Sequence, residues 1–202
     1  MGGAVTLSKQ QVKPQVNADE TFDHFSLPAY DSTGHPVAEL GSAIMSSKFS
    51  VVPGCVLFSK LNPRIPRVWV PAVAGTSRQI ASTEFLVLVP QPDWSRELVW
   101  CQLEQDVFRD LLTQGASGTS NSHQRIRPQD FLSAPVVIAP PGIRQALSEM
   151  VSPLLTLREQ QHQESAKLAT LRDYFLPRLL SGRVRVRDFT GTISGIPEEV
   201  LK

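Results

Sequence analysis

The sequence predicts an α+β chain: a mixed α/β domain of short strands followed by a long C-terminal coiled-coil helix. Three observations carry this. Short apolar runs, punctuated by many of the 16 prolines, fill residues 1–140. From Ile143 to Phe175, residues recur at gaps alternating between four and three, all apolar except Gln161 and Glu164, a repeat that keeps one narrow edge turned toward a partner helix. A hydrophobic content of 41% over 202 residues suits one globular core plus an appendage. The expected division is 1–140 for the domain, 141–182 for the helix and 183–202 for a tail or linker.

Met1-Gly2-Gly3 reads as an added remnant. Val5 to Val16 offers a first strand, confined to an edge by Pro14. Thr21 to Tyr30 reads as extended chain, and Asp31-Ser32-Thr33-Gly34 as a turn. Val51 to Phe58 forms two apolar runs across the turn signal Pro53-Gly54. Arg67-Val68-Trp69-Val70 alternates as a strand does, and Glu84 to Val89 is a buried strand type closed by Pro90. Leu98, Cys101, Gln105, Phe108 and Leu111-Leu112 are spaced for one helix over Ser95 to Leu112. A polar loop follows from Gly115 to Asp130. Val136-Val137-Ile138-Ala139 is the expected last strand, and Pro140-Pro141 opens the long helix, where proline is tolerated.

That helix carries a seam of Ile143, Leu147, Met150, Leu154, Leu157, Gln161, Glu164, Leu168, Leu171 and Phe175. If continuous, it is a rod of roughly 50–60 Å at about 1.5 Å per residue. Pro153 is its expected weak point, and Ser181-Gly182 its stop. The polar pair in the seam sets a register. A parallel dimer would oppose Glu164 to its own copy. An antiparallel dimer instead stacks Gln161 on Glu164, Leu157 on Leu168, Leu154 on Leu171 and Met150 on Phe175. An antiparallel pairing with a second copy is therefore expected.

A formal net charge of +1 does not announce a nucleic-acid binder, although local basic groups matter more than their sum. Cys55 and Cys101 lack motif spacing and read as reduced structural thiols. There is no apolar run of membrane-span length and no signal peptide, so a cytoplasmic protein without membrane contact is expected. Scattered histidines argue against a metal site. Ser117, Ser120 and His123 lie too close on one loop to form a nucleophile and its base, and no acid is placed to orient the His, so an enzyme is not expected. Glu84 reads as a buried, hydrogen-bonded structural carboxylate rather than an acid catalyst.

Two polar clusters remain. In Ser59 to Arg67, prolines stiffen a segment carrying Lys60, Asn62, Arg64 and Arg67, which holds side chains ready for phosphates or bases at low entropic cost. In Gly115 to Pro128, small residues lead to Thr119, Ser120, Ser122, His123, Gln124, Arg125 and Arg127, the hydroxyl, amide, imidazole and guanidinium groups used on base edges and phosphates. Each also fits an ordinary solvated loop.

Several stretches together resemble one family. They are Phe25-Ser26-Leu27-Pro28-Ala29-Tyr30-Asp31, Ser59-Lys60-Leu61-Asn62-Pro63-Arg64-Ile65, Ser82-Thr83-Glu84-Phe85, and Gly118-Thr119-Ser120 through His123-Gln124-Arg125. The C-terminal run Glu164 to Asp173 and Leu176-Pro177-Arg178-Leu179-Leu180-Ser181-Gly182 completes the set. The chain, from about Val5 to Val186, is similar to the DNA-specificity subunits of type I restriction–modification systems. The resemblance implies a target-recognition domain that reads a short half-site in double-stranded DNA. It also implies a long helix that docks to a modification subunit. That partner would be the adenine methyltransferase, carrying the S-adenosylmethionine, with no cofactor in this chain; a motor nuclease (restriction) subunit would cut unmodified DNA. Family members usually have two recognition domains and two helices. This chain has one of each, and so resembles either a half-length subunit or a fragment of a longer one.

Overall fold

Val56, Leu57 and Phe58 are all buried in sequence, as are Phe85, Leu86, Val87 and Leu88. Side chains alternate between the two faces of a strand, so such runs require cover on both faces. The fold supplies it. The computed structural model describes residues 1–72, 77–114 and 124–183. In chain order these form β1 (Val5–Ser8), β2 (Gln11–Val12), β3 (Thr21–Phe25), α1 (Leu27–Ser32), β4 (Val37–Leu40), β5 (Lys48–Ser50), β6 (Val56–Ser59), β7 (Val68–Trp69), β8 (Arg78–Ala81) and β9 (Phe85–Pro90). The helices α2 (Arg96–Leu103), α3 (Asp106–Gln114), α4 (Pro128–Ser133) and α5 (Pro141–Leu180) follow. The chain divides into two compact units, Met1–Pro153 and Leu154–Lys202.

In the first unit, an antiparallel sheet of order β1-β9-β6-β7 stands beside a second sheet of order β2-β5-β8-β3-β4. Val56, Phe58, Leu86 and Leu88 face Val99, Leu103, Phe108, Leu112 and Phe131 of the three helices α2 to α4. On the opposite face, Leu57, Trp69, Phe85 and Val87 meet Phe25, Ala29 and Ala81. Trp69 is the pivot of that layer. Its ring packs edge-on against Phe25 and Tyr30 at 5.0 and 4.9 Å, and its indole N–H donates to the Gly34 carbonyl at 2.9 Å.

The structure corrects several expectations. Met1 packs into the fold: its side chain lies in the core, its amine donates to Ala134 O, and Gly2 N donates to Leu132 O. The run from Val5 to Val16 divides into two strands and a 3-10 turn. Leu27–Ser32 is helical rather than extended, because Ser26 caps it by accepting from Ala29 N and Pro28 suits a first turn. The expected helix over Ser95 to Leu112 breaks at Glu104-Gln105. The break lets Leu98, Val99 and Leu103 and then Phe108 and Leu112 all face the sheet, which one continuous helix would not. Val136 to Ala139 forms no regular element and pairs with no described strand, and Val137 is 89% exposed. β4, β5 and β8 are further strands that hydropathy did not reveal.

The long helix is as expected in extent, and Pro153 lies within its 40 residues rather than at an end. The first turns of α5, up to Pro153, belong to the first compact unit and pack with its strands and helices. Ser148 Oγ is 2.8 Å from Ser95 Oγ, Arg144 donates to Asp93 O, and Val151 is 7% exposed. This inward face lies one residue on from the predicted seam. Ile143, Leu147 and Met150 are left exposed, Met150 at 67%. In the second unit Leu154, Leu157, Gln161, Glu164 and Leu168 are exposed, while Leu171 and Phe175 are half-buried. Arg178 lies over the Tyr174 ring at 3.6 Å. Gly182, at φ +69, takes the left-handed conformation that ends the helix. The expected tail lies outside the described residues from 184 on.

Candidate nucleic-acid interface

The two polar clusters singled out in the sequence, some sixty residues apart, meet in space. Leu61 and Arg125 form an antiparallel bridge. Asn62 N donates to Gln124 O at 2.8 Å, and Ile126 N donates to Lys60 O at 3.0 Å. A third segment joins them, since Lys60 N donates to Glu84 O at 2.9 Å.

Local turns prepare each segment. Ser59 Oγ donates to Leu61 O and accepts from Leu61 N, both at 3.1 Å, which curls the chain as it leaves β6. Asn62 then adopts φ +50, a conformation asparagine tolerates, and its carbonyl accepts from Ile65 N. Ser82 Oγ accepts from Glu84 N at 3.3 Å, setting Glu84 at the mouth of β9. Ile126 is buried in the core beside Phe131 and anchors the returning strand.

The candidate side chains sort by environment. Lys60 is half-buried and Arg64 exposed, the latter lining a shallow concavity with Asp106, Arg109, Asp110 and Thr113 of α3. Gln124 is half-buried. Its Oε1, like Asn62 Oδ1, is buried without a hydrogen-bond partner among the described residues. Arg127 is exposed at the start of α4. Arg125 has a 60% exposed side chain, and its Nη2 donates to Glu84 Oε1 at 2.9 Å. Thr119, Ser120, Ser122 and His123 lie outside the described residues.

Arg67 sits differently from the others. It is 8% exposed, and its Nε and Nη2 donate to Asp31 Oδ1 and Oδ2 at 2.7 and 2.8 Å. A buried guanidinium with one edge of its fork occupied by a carboxylate ties β7 to α1. The Arg67 hydrogen bond holds the Asp31 carboxyl below its ordinary value. Glu84 is a residue that sequence reasoning set aside. Its Oε2 is buried but without the expected hydrogen-bond partner among the described residues, and its other oxygen pairs with a candidate contact residue. The only signal for this was a charge at the mouth of an apolar strand.

Among the described residues no cluster of three or more His, Cys, Asp or Glu is placed to hold a metal ion. Burial pushes the Cys55 thiol up to about 12, which marks it as inert. No described helix is long and apolar enough to cross a membrane.

No family model and no curated protein matches the chain. Solved structures do. The chain is similar to one in a structure describing complex assembly and conformational transition of the type I R-M system, with 20% identity and a TM-score of 0.62. That alignment covers 96% of this chain and 49% of the other. It is also similar to the HsdS subunit from Thermoanaerobacter tengcongensis, with 21% identity and a TM-score of 0.58, over 85% of this chain and 47% of that one. The chain thus has the fold of an HsdS subunit, a strand-built domain leading into a long helix. It spans about half the length of the solved chains it matches.

Proposed function

We propose that this chain is a non-catalytic DNA-specificity subunit of a type I restriction–modification complex. The observation that carries the reading is the Leu61–Arg125 bridge, which brings two basic, polar segments together on a fold shared with an HsdS subunit. Lys60, Arg64, Arg125 and Arg127 supply the phosphate and base contacts. The chain directs an adenine methyltransferase subunit, which binds the S-adenosylmethionine, and a restriction subunit to a bipartite site. In this reading a second copy of the chain brings a second recognition domain to the site. The exposed stripe from Leu147 to Leu168 suits an antiparallel coil between the two copies.

The test is a mobility shift of the full chain on duplex DNA, alone and with its methyltransferase subunit, over a salt series. Affinity that falls steeply with salt and rises on assembly supports the reading, since phosphate contacts release counterions. A chain that dimerises but retains no DNA at low salt would reduce it to a coiled-coil scaffold.

A further inference from the structure

Two arginines of the candidate set are paired with carboxylates, but in different ways. Arg67 is buried, and a whole edge of its fork is engaged by Asp31. Arg125 is mostly exposed and engaged through Nη2 alone. A guanidinium carries five N–H donors. One bond to Glu84 therefore leaves Arg125 a paired edge, the element that matches the O6 and N7 acceptors of guanine.

Both partners are also held from behind. The backbone on either side of Arg125 is fixed by the Asn62–Gln124 and Lys60–Ile126 hydrogen bonds. Glu84 is fixed by Ser82 Oγ at its amide and by Lys60 N at its carbonyl. Its Oε2 is buried and meets no donor among the described residues, and its other oxygen is the one engaged by Arg125. A long arginine side chain otherwise samples many rotamers, and ordering it on binding weakens discrimination.

We infer that Glu84 is a positioning residue that presents Arg125 to a guanine, so that the Glu84–Arg125 pair sets the preference at one base pair of the recognised site. This rests on the DNA-recognition reading above. It assigns Glu84 a role in selectivity that burial alone would not suggest.

The test is selection by the full chain from a pool of duplex DNA with a randomised segment, compared among wild type, Glu84→Gln, Glu84→Ala, Arg125→Ala and Arg125→Lys. Wild type selects a motif containing a guanine that Arg125→Ala no longer distinguishes. Glu84→Ala lowers the preference at that same base pair about tenfold and leaves other positions and the salt dependence unchanged. Glu84→Gln keeps an acceptor and falls between the two, while Arg125→Lys retains affinity but loses the preference, because an ammonium offers no paired edge. Thermal unfolding of each variant identifies any that has lost its fold, and Glu84→Gln, the isosteric change, then decides. If folded Glu84→Gln and Glu84→Ala chains select as wild type does, Glu84 is structural only and the inference is overturned. A wild-type chain that binds DNA without selecting any motif overturns the recognition reading and this inference with it.

Discussion

The hydroxyls of Ser95 and Ser148 lie 2.8 Å apart, joining the cap of α2 to the second turn of α5. Ser95 also accepts from Leu98 N, so its oxygen serves both helices. This contact, with Arg144 on Asp93 O, sets the rotation of the first turns of α5. Arg144, Ser148 and Val151 face the domain, and Leu147 and Met150, one residue earlier, face out. The apolar stripe predicted to bind a partner is thus left available by the packing of its neighbour stripe.

The two stripes should respond differently to substitution. Val151→Ala removes buried contacts and is expected to lower stability by about 1–3 kcal/mol. Leu154→Asp and Leu157→Asp change exposed positions and should shift the stability of the single chain by only about 0.5 kcal/mol, while abolishing self-association. Urea unfolding and sedimentation read the two effects separately. A Leu157→Asp chain that still dimerises would refute the seam.

The register of that association is expected to be antiparallel. A chain carrying Leu157→Cys and Leu168→Cys should form an intermolecular 157–168 disulfide, because those positions share a layer when Gln161 meets Glu164. Efficient 164–164 linkage in a Glu164→Cys chain would instead show a parallel coil.

Arg67 should matter to stability and not to DNA. Arg67→Met is expected to lower stability by about 1–3 kcal/mol, at the lower end because Asp31 is half exposed and water screens it. DNA affinity per folded molecule should be unchanged. Arg127→Ala, on an exposed side chain, should weaken all sequences alike and reduce the salt slope by about 1 if it contacts a phosphate.

Stability should fall on mild acidification through His24. Burial lowers its pKa, opposed by the Glu39 hydrogen bond and charge, and nearby Lys48 lowers it further. The fold therefore holds the neutral ring. As pH drops through the ordinary value of 6.5, the unfolded chain takes up a proton that the folded chain does not. The contribution is complete above that range and is lost as pH falls toward the folded pKa. Unfolding free energies between about pH 7.5 and 5 should show the slope in wild type and a flatter profile in His24→Gln. Parallel profiles would refute it. Asp31, whose pKa is depressed by Arg67, contributes a separate loss only as pH falls from its ordinary value of 3.8.

What could be read from the sequence was local or periodic. The strands at Val56 and Phe85 announce themselves because both faces are buried and every residue is apolar. α5 announces itself because a 3.5-residue repeat persists over many turns. The weaker strands at Val37, Lys48 and Arg78 are short and polar, and exist because a neighbour offers a free edge. Val136 to Ala139 has the better strand composition but no described strand beside it to pair with.

By itself, then, the sequence determined the α+β class, the long helix with its outward seam, and the two basic segments as the candidates for contact. Tertiary structure alone decided that Leu61 and Arg125 pair, that Arg67 is buried on Asp31, and that Glu84 rather than another acid holds Arg125. Periodicity records only which residues prefer to leave water. Which charge meets which depends on backbone hydrogen bonds between segments far apart in the chain, and no local pattern encodes that pairing.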